Sequence, residues 1–293
     1  MIRVYFARKH SPFWGDVLTT VQRVYERQNY PFHNMLIDVG LSSIIRKHNR
    51  IFYTRTFLEH YRRVVAEMDR RYPRHVRALI PDVPPSWGHH KTHDWFHRHL
   101  RLLKEWRQYR EEYWIPIVHY FTLDEDEIER MLDENGDVFG EREIIAVPTR
   151  KFLTYRQKFT VLMQLLHRKF PSTKIHLLAF FPRDYDFPKQ NVVSVDMGAS
   201  LVNFHNVKRD LAFYWRMRDN ERRIFLNFRT SPLGLRLCYH MFLKALIEHY
   251  STVFGGVEYA GWYKIAETHD RRNAGSGLRR PRSGVTGIEL SRP

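Results

Sequence analysis

The chain has a single cysteine, Cys238, among 293 residues. An intrachain disulfide is therefore excluded, and so is a zinc site built from several cysteines. Long apolar runs are missing too; none approaches the roughly 18 residues that a membrane-crossing helix needs. The first strand-like segment starts almost at Met1, which leaves no room for a signal peptide, so the expected setting is cytoplasmic. No glycine-rich phosphate loop follows that segment, which counts against an open dinucleotide-binding sheet. Acidic residues are scarce beside basic ones: 32 Asp and Glu face 48 Lys and Arg, a formal net charge of +16. A field of that sign favours phosphate backbones. Well-solvated proteins can share this balance, but with the abundant Tyr, Phe, Trp and Arg the expected partner is nucleic acid. A hydrophobic content of 43% with 15% aromatics is enough for a core and excludes global disorder.

Strand-like and helix-like segments alternate along the chain. The expected strands are 3–7, 35–38, 78–83, 115–120, 144–147, 174–180, 192–196 and 223–228. Helical stretches are expected at 16–28, 54–72, 92–110, 124–134, 155–169, 200–218 and 232–250. In 54–72, Phe57, Tyr61, Val64, Val65 and Met68 recur at helical spacing among charges. The acidic helix 124–134 should stop at Asn135-Gly136. Repeated strand-then-helix units fit a (β/α)8 TIM-type barrel forming one catalytic domain over 1–269. An open doubly wound sheet is the runner-up. From 270 to 293 the composition turns to Arg, Gly, Ser and Pro, expected as a flexible basic tail.

Three of the strand-like runs end in an acid: MLID at Asp38, ALIPD at Asp82 and VVSVD at Asp196. In an α/β barrel the chemistry sits at the carboxyl ends of the strands, so these acids could converge on one pocket. Each alone reads as well as a helix cap or turn residue. Gly40 after Asp38 suits a tight turn, and Pro84-Pro85 stiffen the loop after Asp82.

The ordered segments IDVG, IPDVP, IPIVHYF, IIAVPTRKF, KIHLLAFFP and VVSVDMGAS resemble the tRNA-guanine transglycosylase superfamily. They are closest to its compact DNA-modifying branch, the DpdA-type 7-deazaguanine transglycosylases of phages and genomic islands. The resemblance implies base exchange through a covalent intermediate. The family's nucleophilic aspartate falls on Asp196, and its acid/base aspartate on Asp38. Its base-recognising aspartate falls on Asp82, where a carboxylate can accept from two N–H groups of a guanine-like ring. The family's Gln-Gly strand end falls on His119-Tyr120, a substitution, and its Gly-Gly backbone platform near Ala146 and Val147, again substituted. Arg150, Lys151, Arg183 and Lys189 are then candidate phosphate contacts beyond the fifth and sixth expected strands, though each also reads as an ordinary surface charge.

Classical members carry a structural zinc held by three cysteines and a histidine. With Cys238 alone that module is missing, so no cofactor or structural zinc is expected. DNA is accordingly the expected substrate, with tRNA as the alternative and a preQ0-like 7-deazaguanine as the incoming base. A phage-encoded chain would act in its host's cytoplasm.

His89, His90, His93, His97 and His99 form a second constellation, with i,i+4 pairs able to share a helix face. Together with Asp82 and Asp196 it keeps a metal-dependent barrel hydrolase open, although surface histidines are the simpler reading. His176 is expected in a structural role, and 204–215 as a packed helix. A non-catalytic nucleic-acid-binding barrel is the remaining option.

Overall fold

A computed structural model describes residues 3–7, 16–27, 32–40, 53–83, 94–149, 155–180, 187–197 and 254. All belong to the compact unit Met1–Glu258. The expected elements 200–218, 223–228 and 232–250 and the basic tail lie outside the described residues.

The fold is mixed α/β, built on a parallel sheet. Its strands are β1 (Arg3–Ala7), β2 (Val17–Thr20), β3 (Met35–Asp38), β4 (Val76–Leu79), β5 (Trp114–Ile115), β6 (Ile144–Pro148), β7 (Lys174–Leu178) and β8 (Val192–Met197). They run in the spatial order β5-β4-β3-β2-β1-β8-β7-β6, and every pairing is parallel. The residues just after β5 also meet β6. Ile117 bridges Ala146, Val118 N–H donates to Ala146 O at 2.9 Å, and Ala146 N–H donates to Pro116 O at 2.8 Å.

β2 corrects the sequence reading, which placed a helix over 16–28. Val17, Thr19, Thr20 and Val21 are β-branched and suit an extended chain. Helical turns begin only afterwards, as a 3-10 turn (Val21–Arg23) running into α1 (Val24–Arg27). Among the described residues the sheet holds eight strands by Met197.

The other helices follow their patterns closely. α2 (Arg55–Arg71) is capped by Thr54, whose hydroxyl accepts from Phe57 N–H at 3.1 Å. It buries Tyr61, Val64, Val65 and Met68, each contributing about 1.5–3 kcal/mol of apolar burial. α3 (Asp94–Trp106) is followed by α4 (Glu125–Glu134), which opens with a reciprocal capping box between Asp124 and Glu127. Asn135-Gly136 ends α4 as expected, yet a further short helix, α5 (Gly136–Gly140), starts there. α6 (Arg156–Lys169) buries Phe159, Leu162, Met163, Leu165 and Leu166.

One apolar cluster joins Tyr5, Leu36, Leu79, Ile115, Ile117 and Ala146, with Leu18, Ile144 and Leu178 packed against it. Seven strands or their immediate extensions contribute to it. At the amino ends of the strands the charges are paired. Arg3 Nε lies 3.4 Å from Asp16, and Glu143 is shared by Arg77 at 2.8 Å and Lys174 at 2.7 Å.

Candidate active site

At the carboxyl ends the electrostatics reverse. Parallel strands bring the end of β3, the segment after β4 and the end of β8 to the same edge of the sheet, where α/β proteins bind ligands. Asp38, Asp82 and Asp196 lie there. Among the described residues none of the three is paired with Lys or Arg, in a chain of net charge +16. Their partners are histidines and backbone N–H groups.

Asp38 is half-buried at the end of β3 and accepts hydrogen bonds from the backbone N–H groups of Val39 and Gly40. Gly40 adopts φ +78, and a Cβ there would run into the Gln22 side-chain amide. The turn therefore needs glycine, as the sequence suggests. Gln22 Nε2 in turn donates to Val39 O at 3.3 Å. The Asp38 carboxyl is pushed up to about 7, first by burial, then by the negative charge of Asp82, with Asp196 adding to it against the two backbone N–H groups. Mutual repulsion of this kind means that the three carboxylates share one electrostatic environment.

Asp82 sits three residues beyond β4, with its side chain 13% exposed, and its Oδ2 lies 2.7 Å from His119 Nε2. An ionised carboxylate only accepts, so His119 donates. His119 is itself held edge-on by the buried His99, with ring centroids 4.7 Å apart. His99 is pushed down to about 3, by burial first and then by the charge of His119, so it stays neutral and donates Nε2–H to Ile117 O at 2.9 Å.

Two tyrosines from the segment leading into and along α2 brace these strand ends. Tyr53 donates to Asp82 O at 2.8 Å. The Tyr61 hydroxyl lies 3.0 Å from Ile37 O and 2.8 Å from Leu79 O, bridging β3 to β4 directly behind Asp38 and Asp82. Burial and the charges of Asp38 and Asp82 raise the Tyr61 hydroxyl well above its usual range, so it remains a donor. Tyr61→Phe should cost about 1–2 kcal/mol, because two buried carbonyls lose their shared donor. Thermal denaturation measures this; an unchanged midpoint would remove the bracing role.

Asp196 lies in β8, in register with Tyr5 of β1. Its Oδ1 accepts from Ala179 N–H at 2.8 Å and faces His176 Nε2 at 3.3 Å. His176, expected to be structural, thus touches the candidate nucleophile. Neither histidine partnership is visible in the chain order: His119 is 37 positions from Asp82, and His176 is 20 from Asp196. Period-two alternation along β7 is the one signal that could have suggested His176, since it faces the same way as Leu178.

Two other expected contacts, Ala146 and Lys189, are corrected. Ala146 belongs to the apolar cluster, and both its backbone N–H and its C=O are used in bonds to Pro116 and Val118, so it offers no backbone platform for a base. Val147, its neighbour, points to the opposite side of β6 and is fully buried. His119 lies beside Asp82. Lys189 does not share the carboxyl edge. Its carbonyl accepts from Val192 N–H, and Asn191 O accepts from Ile175 N–H, so this turn leads into the amino end of β8, opposite Asp196. Arg150, Lys151 and Arg183 lie outside the described residues.

His89, His90 and His93 also lie outside the described residues. On α3, His97 is exposed and His99 buried. Among the described residues no group of three or more His, Cys, Asp and Glu side chains is arranged to hold a metal ion. No described helix is long and apolar enough to cross a membrane. The chain matches no family model, no curated protein and no solved structure.

Proposed function

We propose that the chain is a (β/α)8-barrel transglycosylase that replaces guanine with a 7-deazaguanine in nucleic acid, DNA in preference to tRNA, in the cytoplasm. Two features support closure of the sheet into a barrel: the bridge between Ile117 and Ala146, which joins the two ends of the strand order, and the apolar cluster shared across it. The observation that carries the activity is one half-buried carboxyl, raised to about 7, beside two carboxylates that no Lys or Arg pairs among the described residues. Carboxyl groups whose environments hold them in different protonation states divide into acid and base or nucleophile.

In this reading the Asp196 carboxylate attacks C1′ of the target nucleotide. The C1′–N9 bond breaks with its electron pair going to guanine, and Asp38 supplies the proton that neutralises the leaving base. The incoming base then attacks C1′ through N9 and returns its N9 proton to Asp38. The C1′–oxygen bond breaks, and Asp196 is regenerated. Asp82, oriented by His119, accepts from the N–H groups on the base edge. The target base must leave its stack to reach these groups, and the overall positive charge favours the phosphates that flank it. With one cysteine the chain lacks the zinc module of the classical tRNA enzymes, which favours DNA.

Nucleoside mass spectrometry of DNA and tRNA from cells that express the protein and have a deazaguanine source tests the assignment. A deazaguanine deoxynucleoside in the DNA pool is expected. The modification in tRNA alone would transfer the activity to tRNA, and its absence from both pools would overturn base exchange.

A further inference from the structure

The two oxygens of Asp196 are not equivalent. Oδ1 lies 2.8 Å from Ala179 N–H and 3.3 Å from His176 Nε2, whereas among the described residues Oδ2 has no hydrogen-bond partner. Ala179 reaches its position with φ 52, a left-handed conformation that a non-glycine residue adopts at a cost. The strained residue is thus the one whose N–H meets the carboxylate. Behind it, His176 Nδ1 lies 2.8 Å from Ser194 Oγ, and the ring is held edge-on by Tyr5 at 5.7 Å between centroids. Both His176 and Ser194 are buried.

An ionised carboxylate has no hydrogen to give, so the ring donates from Nε2 to Oδ1, and with Nε2 as the donor Nδ1 can accept from Ser194 Oγ–H. The result is a directed chain from Ser194 through His176 to Asp196. It leaves the lone pairs of Oδ2 for a reacting atom.

We propose that His176, together with the Ala179 N–H, is a positioning residue that makes Asp196 attack through Oδ2 and stabilises it as a leaving group in the second half of the exchange. This rests on the transglycosylase reading above. When Oδ2 bonds to C1′, Oδ1 becomes the carbonyl oxygen of a neutral ester. When the incoming base displaces the ester, the C1′–Oδ2 electron pair returns to the carboxylate and negative charge develops again on Oδ1. Two N–H donors already aimed at Oδ1 stabilise that developing charge, as donors to an oxyanion do. They assist the step that releases Asp196 more than the step that consumes it.

The test separates the two half-steps with a guanine-containing oligonucleotide and the full-length protein. Adduct formed without incoming base is followed on a denaturing gel, and its decay is followed after preQ0 is added. His176→Phe should form the adduct but release it roughly tenfold to a hundredfold more slowly relative to formation. His176→Gln, which can place an amide N–H toward Oδ1, should recover most of the release rate. Ser194→Ala removes only the far end of the chain, and carries the same test if His176→Phe does not fold. Equal slowing of both half-steps, or an unchanged ratio, would overturn the role. So would nitrogen NMR showing the proton on Nδ1 rather than Nε2. Wild-type protein that forms no adduct and exchanges no base would overturn the transglycosylase reading itself, and this inference with it.

Discussion

Asparagine in place of Asp196 is expected to abolish base exchange while the protein stays folded. The amide is nearly the same size as the carboxylate, and its oxygen can still accept from Ala179 N–H and His176 Nε2–H, which the native Oδ1 does at 2.8 and 3.3 Å. Packing at this buried position is therefore retained. What is lost is the proposed nucleophile, since an amide nitrogen has no available lone pair with which to attack C1′. Removing a covalent nucleophile costs a large part of the catalytic effect, and a loss of roughly 10³–10⁴-fold is expected here. Exchange of labelled guanine in an oligonucleotide measures it, with thermal denaturation as the control. Exchange at a wild-type rate would sink the covalent mechanism. An unfolded Asp196→Asn protein would instead identify the carboxylate as a structural pin between β7 and β8.

The second large effect concerns Asp38 and has two readouts of known sign. Its carboxyl is raised from 3.8 to about 7, so between those values the folded protein holds a proton that the unfolded chain has lost. Stability from this group is therefore complete below the unfolded value and is lost as pH rises through about 7. Asp38→Asn removes that loss. The variant should be more stable than wild type above pH 7, by on the order of 3–4 kcal/mol once Asp38 is fully ionised, and the gain should vanish in acid. Activity moves the other way. In the proposed mechanism protonated Asp38 is the acid for the departing guanine, so adduct formation should fall as pH rises past about 7. The Asn variant should form adduct roughly 10²–10³-fold more slowly, without that pH dependence. Chemical denaturation and adduct formation between about pH 5.5 and 8.5 examine both. A flat wild-type profile in that range would take the acid role from Asp38.

Stability and activity thus oppose one another at Asp38. A carboxyl kept half-buried beside two like charges is costly to the fold at neutral pH, which is the usual mark of a position held for chemistry. Tyr53, Tyr61 and the Gly40 turn keep the surrounding strand ends in place against that repulsion.

Much of the secondary structure can be read along the chain, because local periodicity depends on neighbours a few residues apart. Thr54 and Asp124 announce α2 and α4 through their caps, and the apolar positions of α2 recur at helical spacing. β2 misleads for the same reason. Val17, Val21 and Val24 fall at helical intervals and all three are buried, yet Val17 belongs to a strand, and only pairing with β1 and β3 decides for an extended Val17–Thr20. Ala146 misleads in another way: its place in a strand does not reveal that it spends its backbone bonds on Pro116 and Val118. Lys189 follows β7 in order but belongs to the turn that enters β8.

The sequence by itself determined the α/β character, the excess of positive charge, the absence of a cysteine zinc module, and the placing of Asp38, Asp82 and Asp196 at or just after strand-like runs. These follow from composition and from short-range patterns. Tertiary structure alone decided what each acid is next to: His119 for Asp82, His176 and Ala179 for Asp196, and the other two acids for Asp38. The physical reason is that parallel strand pairing joins residues far apart in the chain. A carboxyl's protonation state and free lone pairs depend on those neighbours, and so they are not written in its local sequence.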